Sequence, residues 1–228
     1  MRRILVTMLL ILVPTWTAAE EPPLPIIDMH LHARDAPDPP RPLCLPVTVY
    51  GVVNPACTSP ILSPLTDEEL VEQTVEILER RNILGVISGH PLTRVRRFQE
   101  AAPNRLIPAY QLNLGDDDHP SPDDLRRYLR AGDFQVLGEI ENQYAGIAPD
   151  DERMDPYWAL AEDLDIPVAL HLGEGYPGAP YLGSPKYRAQ LGNPFLLEEV
   201  LVRFPKLRIY VMHYGSPMVD EMIAILYT

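Results

Sequence analysis

Positive charge is scarce in this chain: 19 Lys and Arg stand against 32 Asp and Glu, a formal net charge of −13 at pH 7. Phosphate recognition needs concentrated Lys and Arg, so nucleic acid and anionic membrane surfaces are disfavoured as partners. The short cluster Arg94, Arg96 and Arg97 reads as a solvated helix face. Nucleotide-binding glycine motifs are missing as well. No G-x-G-x-x-G or G-x-x-x-x-G-K follows any predicted strand, which removes support for a nucleotide-binding open sheet. Cysteine is limited to Cys44 and Cys57, with no histidine between them, so a zinc knuckle is disfavoured. The expectation for the pair is a disulfide, the alternative two buried thiols.

Long apolar runs are also lacking. The one candidate, Ile4 to Val13, is too short to span a bilayer and is followed by Pro14. It lies between Met1-Arg2-Arg3 and Thr17-Ala18-Ala19, the three-part layout of a secretory signal. Residues 1–19 are therefore read as a signal peptide cleaved after Ala19, and the protein as exported, periplasmic or secreted, with no membrane partner after cleavage. An N-terminal core helix is the other reading, and Pro22, Pro23 and Pro25 argue against it. Loss of Arg2 and Arg3 leaves 17 cations against 32 acids, a charge of −15.

The rest is an alternation of short apolar runs and amphipathic stretches. The predicted strands are 26–32, 83–88, 105–111, 134–140, 166–171 and 207–213. Between them lie helical patterns such as Tyr157, Leu160, Ala161 and Leu164, or Leu197, Val200, Leu201 and Phe204. A last helix shows Val219, Met222, Ile223 and Leu226. Thr66-Asp-Glu-Glu69 reads as a capping box. Ser121-Pro122, Asp155-Pro156, Asn193-Pro194 and Ser216-Pro217 each read as a helix cap followed by proline at the first helical position. Residues 33–64 form a proline-rich loop with no expected regular structure. Six βα units in a row give an α/β fold with a parallel sheet. Functional residues at several strand ends favour a (β/α)8 TIM barrel. On this reading residues 20–228 are an incomplete barrel domain with about six of eight units. Its two open edges are ones a homo-oligomer could cover.

Histidine supplies the chemistry. His30 and His32 sit at i and i+2 on the first strand, so both leave one face and can reach a single cation. Asp28 is expected two residues deeper on that face, where it could orient an imidazole. His171 ends the fifth strand and His213 the sixth. One such histidine is easily a buried, backbone-bonded filler; three strand ends bearing histidine are not. Glu139, ending the fourth strand, could ligate a metal, take a proton, pair with arginine or cap a loop, and Glu174 is a weaker candidate of the same sort. His90 is read as structural or substrate-facing and His119 as exposed.

The runs D-M-H-L-H (28–32), G-E-I (138–140), A-L-H-L-G (169–173) and V-M-H-Y-G (211–215), in that order, resemble the metal-dependent amidohydrolase superfamily, especially its amidohydrolase-2 branch of TIM-barrel hydrolases. The resemblance runs from Ile26 to the chain end. It implies that His30, His32 and His171 are metal ligands. It makes His213 a second-metal ligand or a catalytic contact to substrate or water, and puts Glu139 where a bridging carboxylate or modified lysine stands in some relatives. The family's aspartate after strand eight has no counterpart here, and the chain reads as C-terminally truncated on that pattern. The implied cofactor is a divalent metal, Zn²⁺ first, with Mn²⁺, Fe²⁺ or Ni²⁺ also suited to the donors. The implied activity is hydrolysis of an amide, lactone or ester in a small-molecule substrate. A decarboxylase of the same superfamily, or a non-catalytic metal-binding barrel fragment, are the alternatives.

Overall fold

A computed structural model describes residues 24–40, 42–43 and 59–227. The expected signal peptide and both cysteines lie outside the described residues. Strand β1 (Ile26–His32) is followed by a two-residue antiparallel pair, β2 (Pro42–Leu43) and β3 (Ile61–Leu62). The proline-rich loop is thus not wholly irregular. Then come α1 (Asp67–Arg80), β4 (Ile83–Gly89), α2 (Leu92–Ala101), β5 (Leu106–Leu112) and α3 (Pro122–Ala131). The second half holds β6 (Val136–Ile140), α4 (Asp155–Asp163), β7 (Val168–His171), α5 (Leu196–Arg203), β8 (Ile209–Met212) and α6 (Val219–Leu226).

The main sheet runs β1-β4-β5-β6-β7-β8, every neighbour parallel and every step in chain order. A sheet wound in one direction carries its helices on one face and curls, which is the wall of a barrel. Side-chain alternation divides the core in two. One set of residues, including Leu125, Phe134, Leu137, Ile140, Trp158, Val168 and Leu197, fills the layer between strands and helices, and Val95, Phe98 and Leu106 extend it toward α1 and α2. The other set, Val86, Ala109, Val136, Ala169 and Met212 with Tyr210, lines the concave side. Among the described residues no helix is long and apolar enough to cross a membrane.

Two irregularities matter for the site. In β6, Leu137 and Ile140 pair with Tyr110 and Leu112 on one side and with Val168 and Leu170 on the other. Three steps on β6 thus match two on each neighbour, so β6 carries an extra residue, a bulge at Gly138-Glu139. With Val136 facing inward, strict alternation would send Glu139 out into the helical layer; the bulge turns it in. A second register shift, between Asp28 and Leu31 in β1, puts Asp28 out of phase with His30 and His32. Asp28 therefore does not share their face. Its Oδ1 accepts from the backbone N–H of His30 at 2.9 Å.

The capping signals hold in part. Ser121 forms a full capping box with Asp124. Thr66 accepts from the Glu69 N–H, but the Glu69 carboxylate takes the N–H of Leu65, not that of Thr66. Asp155 lies inside the first turn of α4, and Asn193 and Ser216 precede α5 and α6 by more than a residue. In α6 the buried residues are Met222 and Ile225, while Val219, Ile223 and Leu226 are exposed. The expected stripe is rotated because only one side of that helix meets the sheet.

Candidate metal centre

His30, His32, Glu139, His171 and His213 meet at the strands' carboxyl ends, inside the curl. His30 Nε2 and His32 Nε2 lie 3.1 Å apart. Glu139 Oε2 is 3.2 Å from the first and 3.3 Å from the second. The other carboxylate oxygen, Oε1, is 2.7 Å from His171 Nδ1 and 3.7 Å from His213 Nε2. Two trios, His30/His32/Glu139 and Glu139/His171/His213, thus share one carboxylate. β4 and β5 separate β1 from β6 in the sheet. In a flat sheet strands three intervals apart would stand ~14 Å from each other. The contact between His30 and Glu139 exists because the sheet is curled.

The backbone around each group accounts for its aim. Ser88, buried on β4 beside His32 in register, has its Oγ 3.3 Å from the Leu31 carbonyl and 3.4 Å from His32 Nδ1. The hydroxyl donates to the carbonyl, accepts from Nδ1–H, and leaves a lone pair on His32 Nε2. His213 and Tyr214, both non-glycine, hold left-handed φ values of 63° and 52°. Two such residues in succession cost on the order of 1–3 kcal/mol each, and they bring His213 to the mouth of the site.

Charge and burial set the protonation states. Burial opposes ionisation of Glu139, but the hydrogen bonds to His171 and His30, with the nearby His213 imidazole, outweigh it and hold the carboxyl well below the usual carboxylate range. The bond to Glu139 raises His30. Burial lowers His32 to about 4, so its imidazole is neutral at ordinary pH. Glu141 is raised, first by burial and then by the charge of Glu139.

This donor set fits a divalent cation. The 3.1, 3.2 and 3.3 Å sides of the first trio match the ~3.3 Å edge of a tetrahedron with bonds of 2.0–2.1 Å. The protein alone cannot satisfy it. If His30 Nε2–H donates to Glu139, the lone pair of His32 Nε2 faces it with no proton to accept. His171 Nε2, buried, has no hydrogen-bond partner among the described residues.

The centre opens into a cleft of ≈670 Å³ whose walls include Arg34, Glu141, Tyr144, Glu174 and Tyr176. Alternation could have found two of these, since Arg34 is two residues past His32 and Glu141 two past Glu139. The tyrosines come from irregular segments and carried no signal. Glu174 lines the cleft as a wall residue, outside both trios. His90 lies elsewhere, between Tyr110 OH at 3.3 Å and Asp118 Oδ2 at 3.1 Å. His119 is exposed, its ring 2.7 Å from the Asp116 carbonyl.

A family model described as amidohydrolase matches residues 27–228. An uncharacterized TIM-barrel protein from Bordetella bronchiseptica is similar at a TM-score of 0.53 and 22% identity, over 70% of this chain and 57% of that one. A probable 2-pyrone-4,6-dicarboxylic acid hydrolase from Acinetobacter baumannii, with citric acid bound, shows a TM-score of 0.45 and 14% identity, over 89% and 66%. The 5-carboxyvanillate decarboxylase of Sphingomonas paucimobilis shows 0.42 and 14%, over 63% and 51%. The chain spans less than two thirds of the length of each of these structures. No curated protein sequence matches it.

Proposed function

From the chain's membership of the amidohydrolase family, to which it plainly belongs, we propose that it is a metal-dependent hydrolase that cleaves an amide, lactone or ester in a small-molecule substrate. The observation that carries this reading is the convergence of four imidazoles on the two oxygens of Glu139. His30, His32, His171 and Glu139 would hold the cation, with zinc the first expectation from an imidazole and carboxylate set. When bound, such a cation lowers the pKa of a coordinated water to about 7 and polarises a carbonyl.

The chain's own groups do the rest. Glu139, ionised and fixed by its imidazoles, offers one oxygen to each trio and would hold the cation together with them. His32 keeps its Nε2 lone pair because its proton sits on Nδ1, where it donates to the Ser88 hydroxyl. His213 is the most exposed of the four imidazoles, with 37% of its side chain accessible. It is the one placed to meet a substrate, and we assign it the catalytic role of orienting water and moving a proton at the scissile carbonyl.

Elemental analysis of the purified chain tests the reading. His30→Ala and His171→Ala are expected to lose the bound metal; full retention in both would sink the proposal. His213→Ala is expected to keep at least one equivalent and to lose about 10²–10⁴ in turnover. A panel of esters, lactones and amides set against carboxylated aromatics separates hydrolysis from the decarboxylase alternative, since only the latter releases CO2.

A further inference from the structure

His171 has two ring nitrogens, and one of them faces the carboxylate of the metal centre. Nδ1 lies 2.7 Å from Glu139 Oε1. Nε2, across the ring, is buried without a hydrogen-bond partner among the described residues. Gln143 presents a matching orphan. It lies in the short 3-10 turn Asn142–Ala145 that follows β6, with 3% of its surface exposed. Its Nε2 donates to the Gly173 carbonyl at 2.6 Å. A carbonyl oxygen only accepts, so the amide cannot stand the other way round. Oε1 is therefore the atom left buried and unpaired among the described residues. Gly192 keeps this contact open, since a Cβ there would stand 2.2 Å from the Gly173 oxygen and 2.9 Å from Gln143 Nε2.

His171 and Gln143 line one small internal cavity of ≈10 Å³, about the room that one water needs. Much of its wall, including Ile140, Leu170 and Met154, is apolar and belongs to the layer between strands and helices. Trp158, also in the wall, already gives its Nε1–H to the Pro149 carbonyl at 3.0 Å. A buried polar atom left unpaired is costly, and two at one cavity call for a shared partner. That partner must suit both. Gln143 Oε1 only accepts. His171 Nε2 accepts while the ring proton sits on Nδ1 and points at Glu139, and donates once the Nδ1 lone pair is given to a cation. Water can donate and accept at the same time, so it meets all of these demands.

We propose that Gln143 is a positioning residue for His171 and acts through one buried water, which donates to Gln143 Oε1 and pairs with His171 Nε2. The inference rests on the reading of His171 as a metal ligand. The ring stays neutral when Nδ1 binds a cation: the Nδ1 proton goes to solvent, and a proton from solvent joins Nε2 by way of the water. The tautomer changes while the ring keeps its place. Gln143 also ties down Gly173, two residues past His171, so one side chain steadies both the ring and the end of its strand.

The test uses the full chain, zinc-loaded and chelator-stripped, with the variants Gln143→Met and Gln143→Glu. A crystal structure of the zinc-loaded chain is expected to show one ordered water within ~3 Å of both Gln143 Oε1 and His171 Nε2. NMR of imidazole-labelled histidine should place the His171 proton on Nε2 when zinc is bound. In competition with a chelator, Gln143→Met should hold zinc about 10- to 100-fold more weakly, and its His171 Nε2 resonance should move. Gln143→Glu, whose protonated carboxyl offers the same donor and acceptor, should keep most of the affinity. No ordered water in the cavity, a proton on Nδ1 in the zinc-loaded chain, or unchanged affinity in Gln143→Met would overturn the proposal. If Gln143→Met loses zinc while the water and the Nε2 proton stay as they were, only the bond to Gly173 mattered and the proposal also falls. If the chain takes up no zinc but the water lies between Gln143 and His171, the positioning role stands and the metal reading fails. Should neither variant fold, the water and the ring proton of the unaltered chain decide.

Discussion

Ser88 touches no substrate, yet its hydroxyl decides which nitrogen of His32 is bare. Ser88→Ala is expected to weaken metal binding about 10- to 100-fold, read by competition with a chelator, while the fold is retained. An unchanged affinity would mean that His32 needs no help in choosing its tautomer. The neighbouring titrations give a second expectation, for protein stripped of metal. His32 has a folded pKa of about 4 against an ordinary 6.5, so its share of stability is present above 6.5 and lost as pH falls toward 4. His30 is raised above 6.5, so its share is full below that value and lost as pH climbs through its folded pKa. The thermal midpoint of chelator-treated protein should therefore peak near pH 6.5, and a monotonic profile would contradict both assignments. The histidines themselves were legible because their strands end on them. What aims Glu139 was not. Gly138 has φ +140°, and a Cβ there would meet the Ala169 carbonyl oxygen at 2.3 Å. A glycine within a strand can signal a bulge, but alternation alone cannot say that one extra residue reverses the phase of the next side chain.

Among the secondary elements, α3 is the one whose ends follow the sequence signals most fully. Ser121 Oγ accepts the Asp124 N–H, and Gly132 closes the helix with φ +77°. Ser121→Ala is expected to cost about 1 kcal/mol in chemical denaturation. Ser216→Ala, which precedes α6 without capping it, should cost distinctly less. The six strands of the main sheet and the helices between them were recognisable from period and punctuation, with strand ends within about two residues, whereas the β2–β3 pair in the proline-rich loop was not. The cap-proline pairs were less telling, because such a pair describes any turn that leads toward a helix and not only the first helical residue. The start of the β1–α1 connection is tied down by partners far away in sequence. Asp35 pairs with Arg94 and Arg97, and Arg97 also pairs with Asp67, whose Oδ1 accepts the Ala36 N–H at 2.7 Å. Arg94 and Arg97, which read as a solvated helix face, instead anchor the stretch carrying Arg34 into the cleft. No local pattern could show that.

For the molecule as a whole, the fold class was written in the order of its units, and the curl follows from winding in one direction. The apolar surface it leaves in view was not so visible. Leu24, Ile26, Ile27 and Met29 on or beside β1 are exposed, as are Val219, Ile223, Leu226 and Tyr227 on or just after α6. An apolar strand edge is a template for association. A 228-residue chain is expected to associate with rising concentration in sedimentation velocity, and Ile27→Lys should weaken that without changing metal content. Concentration-independent behaviour of the unaltered chain would count against it.

The reach of His30 across two intervening strands to Glu139 bears on how the protein tolerates variation. The metal centre is assembled by the shape of the sheet, and that shape is set by the helices packed on its outer face. In a saturation scan scored for metal retention, damaging positions should therefore spread through the outer layer, to Trp158, Leu125 or Phe98, as well as gathering around the cleft.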